Sequence, residues 1–434
     1  MNKINRRSFM QYTAGAAVAA ATLGGASSAF GQSNITIRTA WWGGTARHAK
    51  MDAIFDAFEA ANPGVKISRE PAPFGSFWER IPTQFAGGNA PDMFWMTEQH
   101  VIDYAQAERV MDLRDLEAQG LDLSGFRPAD LEARAYNGKY VRLPIGDTGP
   151  ATMANLKMFA EAGIEPPTDD WTWEQFRTAA IELSKALGNG RYGVSYRAGD
   201  AGIFDGFLSQ SGKALFAPNG EPKLAFEAAD AERYFAEWKS LLDEGGCVPV
   251  EIESETQSGP FEDMPFARGQ CAILIQNSNQ LVTYAQTIKA NLGDDTNVQV
   301  TLLPRFGEKK SSTVKGTDIS VNASTQHPEI VAKLITFFFT DPEANKILGF
   351  ELGAPPNQKF LENVLPHLNP TEVELAEYHQ RNAEVMRPVN MFPRGGQRIN
   401  TLFSELGLAV GFGTVSPAEA AQQIVDEMAR AMAA

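Results

Sequence analysis

The sequence predicts an α/β protein with two domains behind an export signal. Residues 34–68 follow a strand–helix–strand pattern, the repeating unit of a parallel or mixed sheet. Two more apolar runs, at 92–96 and 271–275, are short enough for buried strands. Amphipathic helical patterns separate these runs. The chain has 434 residues, which is more than one hydrophobic core usually supports, so two domains are expected.

The first 31 residues have the layout of a bacterial export signal. Their basic residues are Lys3, Arg6 and Arg7. An Ala/Gly-rich apolar stretch covers 12–30, and the run at 5–10 resembles a twin-arginine signal. A membrane anchor is the alternative, but the stretch is weakly hydrophobic and ends in small residues. We expect cleavage after Gly31 and a mature protein that is free in the periplasm.

The first elements after the signal follow from residue spacing. Residues 34–40 alternate apolar and polar side chains and predict a strand, and the Trp-Trp-Gly-Gly-Thr run at 41–45 predicts a turn. A helix should follow and end at the Asn-Pro-Gly run at 62–64. Its predicted buried face is Met51, Ile54, Phe55 and Phe58. Residues 65–68 alternate again and predict the second strand.

Later helices have recognisable ends. Thr172 and Gln175 fit a capping box, and the helix behind them should end at Gly188. A second long helix is predicted over 229–244, with the Gly-Gly pair at 245–246 as its stop. Further helices are predicted at 328–339, 341–348 and 417–433.

Charge and cysteine content exclude several classes of partner. The net charge is −15, and it becomes about −18 once the signal is removed. Such a surface repels phosphate backbones and anionic lipids, so nucleic-acid and membrane-surface roles are not expected. Cys247 and Cys271 fit no zinc spacing and could form one disulfide or none.

The sequence predicts no catalytic centre, no metal site and no cofactor. No two of its five histidines stand at metal-ligand spacing, and no G-x-S-x-G run occurs. The Gly-rich run at 206–213 has one residue too many for a phosphate loop. Paired acids at 169–170, 262–263 and 294–295 could be imagined as glycosidase carboxylates. In so acidic a chain, solvated loop acids are the better interpretation.

Five segments resemble the extracellular solute-binding proteins of carbohydrate ABC importers, the group that includes maltose-binding protein. They are FDAFEAANPGVKI at 55–67, PDMFW at 91–95, YNGKYVRLPI at 136–145, the AGI to TWEQF stretch at 162–176, and FARGQCA at 266–272. Each segment is weak alone. Their order and spacing across almost the whole mature chain make the resemblance specific.

The resemblance implies the two-lobe fold of type II periplasmic binding proteins, with discontinuous α/β lobes, hinge crossovers and a ligand in the cleft between the lobes. The first lobe would comprise 34–147 and 314–352, and the second 148–313 and 353–434. The crossovers would fall near Gly146 and Asp147, at 311–316, and at Gly353. Small residues there suit hinges, which absorb changes in backbone angles.

The resemblance also implies a function. The protein would capture a mono- or oligosaccharide and deliver it to ABC permease subunits in the inner membrane, as a monomer and without chemistry. The alternatives are a receptor for an acidic sugar such as an oligogalacturonide, a receptor for a peptide or another solute, and a periplasmic carbohydrate-cleaving enzyme. The enzyme alternative needs a facing acid and base pair, which the sequence does not indicate.

Ligands of open α/β sheets bind beyond the carboxyl ends of strands, and this rule nominates several binding residues. Trp41, Trp42, Gly43 and Gly44 follow the first strand. The indole faces suit the C–H face of a pyranose, although one tryptophan could belong to the core. Trp95 and Glu98 lie at the next strand end and resemble the aromatic and acidic residues that hold sugar in the maltose-binding group. Asn277 and Asn279 follow the strand at 271.

The remaining candidates depend on the hinges and on the resemblance. Asp147 lies at a crossover, where its carboxylate could accept two hydroxyl hydrogen bonds or could instead cap the hinge. Arg394 and Arg398 lie on a Gly-rich turn, where the family often places a contact residue. With Arg47, they could pair with the carboxylate of an acidic sugar. The negative net charge and the carboxylates of Glu98 and Asp147 favour a neutral sugar.

Overall fold

A computed structural model describes residues 35–256, 261–293, 297–306 and 310–433. The export signal predicted at 1–31 lies outside these residues. Within the described part of the chain, no helix combines the length and the apolar character that crossing a lipid bilayer requires.

The elements alternate between strands and helices along most of the chain. The strands are β1 (Ile35–Trp42), β2 (Val65–Ala72), β3 (Met93–Met96), β4 (Ala135–Tyr136), β5 (Lys139–Tyr140), β6 (Leu143–Thr148), β7 (Pro150–Asn155), β8 (Tyr192–Val194), β9 (Cys271–Asn277), β10 (Val298–Thr301), β11 (Ser312–Val321) and β12 (Met386–Pro388). The helices are α1 (Thr45–Ala61), α2 (Phe74–Ala86), α3 (Val101–Gln106), α4 (Pro128–Glu132), α5 (Leu156–Ala162), α6 (Trp173–Leu187), α7 (Ala201–Ser209), α8 (Ala228–Asp243), α9 (Val250–Thr256), α10 (Leu281–Leu292), α11 (Pro328–Thr340), α12 (Pro342–Leu348), α13 (Gln358–Val364), α14 (Pro370–Ala383), α15 (Arg398–Gly411) and α16 (Pro417–Ala433).

A mixed first sheet has the strand order β12-β11-β3-β1-β2, with β6 also paired to β11. The pairs β1–β2 and β1–β3 are parallel, because α1 and α2 cross over between these strands. β11 runs antiparallel to both β3 and β6. The sheet therefore combines residues 35–148 with a strand that returns more than 150 residues later in the chain. This discontinuity agrees with the predicted α/β class.

The start of the first sheet corrects one prediction. Trp41 and Trp42, expected in a turn, continue β1 and pair in parallel register with Pro71 and Ala72 of β2. Aromatic residues suit a pleated, buried surface, so the strand extends until the glycines. α1 then begins at Thr45 and buries the four predicted residues on one face.

A second sheet has the order β10-β7-β9-β8. The helix α6 packs on it and begins with the predicted capping box: the hydroxyl of Thr172 accepts from the N–H of Gln175 at 3.2 Å, and the Gln175 side chain accepts from the N–H of Thr172 at 2.9 Å. Cys247 bridges to one side of β8, and Cys271 lies on β9 along its other side. Because β8 separates them, both thiols are free.

The three predicted crossover segments lie side by side at Asp147. In the ladder between β6 and β11, Asp147 stands opposite Gly316. On its other side, the N–H of Asp147 donates to the carbonyl of Ala354 at 2.8 Å, and the N–H of Ala354 donates back at 2.9 Å. The chain passes from the first sheet to the second directly after this point, through Gly149.

Glycine is required at this crossing for close backbone approach. A Cβ on Gly353 would overlap the carbonyl oxygen of Asp147, and Gly353 also has a φ of +107°. A Cβ on Gly146 would lie 2.6 Å from the carbonyl oxygen of Leu352. The small residues predicted as hinge positions therefore let three backbones pass within hydrogen-bonding distance.

A buried network of ion pairs joins residues on either side of the crossing. The guanidinium of Arg134 donates to the carboxylate of Asp147 and, at 3.0 Å, to Asp318 on β11. Arg142 donates to the second oxygen of Asp318 at 2.5 Å. Burial raises the pKa of Asp147 to about 6. Arg134 opposes this rise, whereas the nearby carboxylates of Asp318 and Asp130 add to it.

We expect Gly353→Ala to destabilise the protein by about 3 kcal/mol or more, because both its φ and its contact with Asp147 exclude a side chain. Gly120→Ala is the matched control. Gly120 has a φ of +98°, but open space surrounds its Cβ position, so about 1 kcal/mol is expected. Urea unfolding of both variants measures the difference. Equal losses would show that the close approach at Asp147 contributes nothing.

The Asp147 carboxyl should make stability depend on pH in one direction. Its pKa is raised in the folded state, so its stabilising contribution is present at low pH and is lost as pH rises through about 6. Between pH 5 and 7, the unfolding free energy of Asp147→Asn should therefore rise relative to wild type, by about 1 kcal/mol. Urea titrations at pH 5, 6 and 7 measure this change.

Asp122→Asn provides the control for that titration. Lys359 lowers the pKa of Asp122 to about 2, so the contribution of Asp122 is lost only as pH falls below about 4. The difference between this variant and wild type should stay flat from pH 5 to 7. If the unfolding free energy of both variants changed with pH to the same extent relative to wild type, the pH dependence could not be assigned to Asp147.

Candidate functional site

The segment that follows β3 contacts the turn that leads into α15. The carbonyl of Glu98 accepts from the N–H of Phe392 at 2.9 Å. The side chain of Gln397 donates to the carbonyl of Gln99 at 2.7 Å, and Asn400 donates to the Gln99 side chain at 3.1 Å. The segment at the carboxyl end of β3 is therefore hydrogen-bonded to the chain around the start of α15.

Two of the nominated tryptophans belong to the core. Trp41 and Trp95 each expose only 1% of their surface. Trp41 packs edge-on against Phe55 of α1, with ring centroids 5.3 Å apart. Neither ring therefore presents a face on which a ligand could stack, which corresponds to the core alternative for these residues.

Trp42 instead belongs to an aromatic patch formed by Trp42, Phe74, Trp78 and His100, and it is the buried member of this patch. Trp42 contacts Phe74 at 5.4 Å and Trp78 at 5.8 Å between ring centroids. Trp78 and His100 stack face to face at 3.6 Å with an interplanar angle of 4°. Phe74 is 46% exposed, so the patch faces solvent on this side.

The aromatic patch is uncharged at neutral pH. Burial lowers the pKa of His100 to about 4, so its imidazole is neutral there. Its Nδ1 lies 3.0 Å from the hydroxyl of Thr97, which fixes the ring in its stacked orientation. Flat apolar rings of this kind bind the C–H faces of planar or ring-shaped ligands.

Sequence reasoning missed Phe74, Trp78 and His100. The strand-end rule nominated residues after the strands β1, β3 and β9, whereas β2 ends at Ala72, directly before the helix that carries Phe74 and Trp78. The same rule at the end of β2 would have found both rings.

Glu98 is the most deeply placed acidic candidate. It is 3% exposed, and its Oε2 has no hydrogen-bond partner among the described residues. Burial raises its pKa, while Lys315 and Arg142 oppose the rise. An unpartnered buried carboxyl oxygen can accept from, or when protonated donate to, a ligand group.

Arg47 is occupied by another residue of the protein. Its Nε donates to Glu351 at 3.1 Å, and Lys50 holds the other oxygen of the same carboxylate at 3.1 Å. A Cβ on Gly43 would lie 2.6 Å from the Arg47 side chain, so Gly43 makes room for this pair. Gly44 is the N-cap of α1 and has open space around it.

The other predicted residues are dispersed. The carboxylate of Asp147 accepts from the guanidinium of Arg134. Asn279 accepts from the hydroxyl of Thr148 at 3.0 Å, and Asn277 ends β9. Arg394 is exposed on the turn before α15, and Arg398, the exposed first residue of α15, lies 3.5 Å from Glu405. In the described part of the chain, no three His, Cys, Asp or Glu side chains gather in a group that could hold a metal ion.

Solved structures resemble this one over 92% of the chain. They include a periplasmic solute-binding protein of Pectobacterium atrosepticum (TM-score 0.80, 22% identity, 99% of that chain covered). An oligogalacturonide-binding protein of Yersinia enterocolitica, in complex with saturated digalacturonic acid, gives a TM-score of 0.79 at 20% identity and 99% coverage. An ABC substrate-binding protein of Listeria monocytogenes in complex with cycloalternan gives 0.76 at 21% identity and 99% coverage. These similarities confirm the predicted two-lobe α/β fold.

Curated relatives match a smaller part of the chain than the solved structures do. A putative binding protein of Brucella abortus (strain 2308) is 28% identical over 251 residues, which cover 55% of this chain and 57% of the relative. An uncharacterized lipoprotein of Streptomyces antibioticus is 24% identical over 295 residues, which cover 64% of this chain and 61% of the relative. The chain thus spans less than two thirds of each relative.

The family assignment comes from a sequence model. The model of the bacterial extracellular solute-binding protein family matches residues 53–366, a span that includes most of the first sheet, all of the second sheet and the crossing at Asp147. The chain therefore belongs to the bacterial extracellular solute-binding protein family.

Proposed function

We propose that this protein is a periplasmic receptor that captures a mono- or oligosaccharide between its two lobes and delivers it, unaltered, to an ABC importer. The observation that carries this proposal is the aromatic patch beside the buried carboxyl of Glu98, at the carboxyl ends of β1, β2 and β3. A saccharide needs both kinds of surface, because its ring has apolar C–H faces and its edge has hydroxyl groups.

We propose two lobes with the boundaries expected from the sequence. We place the first lobe at 34–147 and 314–352, and the second at 148–313 and 353–434. The side-by-side crossovers at Asp147 support this division, since each sheet lies on its own side of them apart from β12, which pairs with the start of β11. Closure of the lobes about these crossovers would enclose a ligand and exclude water from its hydrogen bonds.

The ligand of this receptor is a neutral saccharide. The names of two structural relatives include cycloalternan and digalacturonic acid, so saccharide binding extends to an acidic sugar in at least one of them. An acidic sugar is therefore the second candidate. In this chain, however, Arg47 is paired with Glu351, and the exposed Arg398 lies near Glu405. Both arginines have acidic neighbours of their own, which favours the neutral ligand.

Export and delivery complete the proposal. The predicted twin-arginine signal would bring the folded protein to the periplasm, where it would act as a monomer. Its partners would be permease subunits of the inner membrane, which would contact the rims of both lobes. It would require neither cofactor nor metal.

A saccharide panel should separate the receptor from an enzyme. Maltose, cellobiose, galactose, galacturonic acid and digalacturonic acid are each added to the purified protein, and the melting temperature is measured. A ligand present at 100 times its Kd should stabilise the protein by about 2.7 kcal/mol. Chromatography of the incubated sugars should reveal no product. Steady turnover of an oligosaccharide would contradict the receptor function.

The aromatic patch should contribute to saccharide affinity. Trp78→Ala removes one stacked ring and should weaken binding by about 1–2 kcal/mol, or roughly tenfold in Kd. Trp171→Ala is the control, because Trp171 is a half-buried tryptophan outside the patch that packs near Phe159 of α5. Calorimetry with the stabilising sugar of the panel measures both variants. Equal weakening by the two substitutions would exclude the patch as the binding surface.

A further inference from the structure

Lys315 extends from the first sheet to a helix beside the second. It lies on β11 inside a predicted crossover, opposite Thr148 of β6. Its Nζ is 3.1 Å from the point that a Cβ on Gly202 would occupy, and Gly202 is in the first turn of α7. The side chain is half-buried at this position. Neither the sequence patterns nor the family resemblance singled out this lysine.

The same position places Lys315 next to Asp200. The Oδ1 of Asp200 lies 3.2 Å from that same Cβ point on Gly202, so the ammonium and the carboxylate border one small space. Asp200 caps α7, where its Oδ1 accepts from the N–H groups of Gly202 and Ile203, and its Oδ2 accepts from Arg197 at 2.7 Å. The carboxylate is therefore held rigidly on its side of the space.

Glu98 lies in the neighbouring segment of the first sheet. It comes two residues after Met96 of β3, which pairs with Asp318 of β11, three residues from Lys315. The charge of Lys315 lowers the pKa of Glu98 against the larger raising effect of burial. It also lowers the pKa of Asp200, where burial acts upward but Arg197 and then Lys315 outweigh it. The lysine thus acts electrostatically on one carboxyl group from each lobe.

These groups are close without being bonded to one another. Within the described ranges of the chain, Nζ of Lys315 reaches no hydrogen-bond or ion-pair partner, and Oε2 of Glu98 has none either. A carboxyl oxygen that is buried without a partner, as Oε2 of Glu98 is, is costly to leave unsatisfied. A ligand group that reaches this oxygen and the nearby ammonium of Lys315 would supply the missing hydrogen bonds.

The chemistry of the three groups selects that ligand group. The ammonium only donates, an ionised carboxylate only accepts, and a protonated carboxyl can do both. A ligand carboxylate would face Glu98 and Asp200, and a ligand ammonium would face Lys315. A hydroxyl group both donates and accepts, and it carries no charge, so it satisfies all three neighbours.

We propose that Lys315, Glu98 and Asp200 form a hydroxyl-selective subsite that makes the receptor specific for uncharged polyhydroxyl ligands, that is, neutral saccharides over uronic acids and amino sugars. This inference rests on the proposed function. It adds Lys315 and Asp200 to the binding residues and states the ligand class that they select.

Matched sugars test the selectivity by calorimetry on the full mature chain. The sets are glucose, glucuronic acid and glucosamine; galactose, galacturonic acid and galactosamine; and galactobiose with digalacturonic acid. We expect the neutral member of the recognised set to bind at least about tenfold more tightly than its charged counterparts. Tighter binding of an acidic or amino member would overturn the inference and leave saccharide capture intact. Binding of no member would overturn the proposed function, and this inference with it.

Two substitutions test the assigned residues. Lys315→Met should lower the affinity for the neutral sugar about tenfold or more. Lys289→Met, at an exposed lysine of α10, should leave this affinity unchanged. Glu98→Gln should reduce the difference in affinity between the neutral sugar and its uronic acid, because one of the two carboxyl groups that repel the uronic acid is removed. Thermal unfolding verifies that each variant is folded, and Lys315→Gln replaces Lys315→Met if the latter does not fold. Unchanged affinity and selectivity in folded variants would overturn the assignment.

Discussion

The structure depends on one constraint, the passage of three separate chain segments through hydrogen-bonding distance at Asp147. Each segment comes from a different part of the sequence, and the backbone of Asp147 lies between the other two. Close approach requires residues without side chains, and Gly146, Gly316 and Gly353 meet that requirement. The positions of both sheets, and of the strand ends that form the candidate site, follow from this crossing. Arg134 stabilises it from one side by joining carboxylates of two of the three segments.

Local patterns in the sequence predicted the elements well, and long-range contacts explain what they missed. The face of α1, the capping box of α6 and the glycines of the crossovers depend on neighbouring residues, so the sequence shows them directly. The pairing of Arg47 with Glu351 joins residues 304 positions apart and has no local signature. Similarly, an alternating strand pattern cannot show that a helix covers the second face of β1, which is why Trp41 and Trp42 both became buried.

Charge at the site differs from charge over the whole chain. The net charge of −15 indicates an acidic surface. Around the crossing and the strand ends, however, Arg134, Arg142, Arg197 and Lys315 stand among four acids, of which Glu98, Asp147 and Asp318 are buried and Asp200 is partly exposed. Such balanced clusters are costly to bury and restrict the geometry of their neighbours. Asp147 was predicted either to bind ligand hydroxyl groups or to cap the hinge, and in the structure its carboxylate accepts from Arg134. The orphaned oxygen of Glu98 makes that residue the better acceptor.

The three side-by-side connections at Asp147 also have a mechanical consequence. A single linker allows two bodies to rotate about any axis. Three backbones joined edge to edge form a narrow ribbon, and a ribbon bends easily only across its flat face, while it resists shear and rotation within its plane. Lobes joined by this ribbon would move relative to one another along essentially one path. Every cycle of opening would therefore bring the aromatic patch and the groups around Lys315 back into the same alignment.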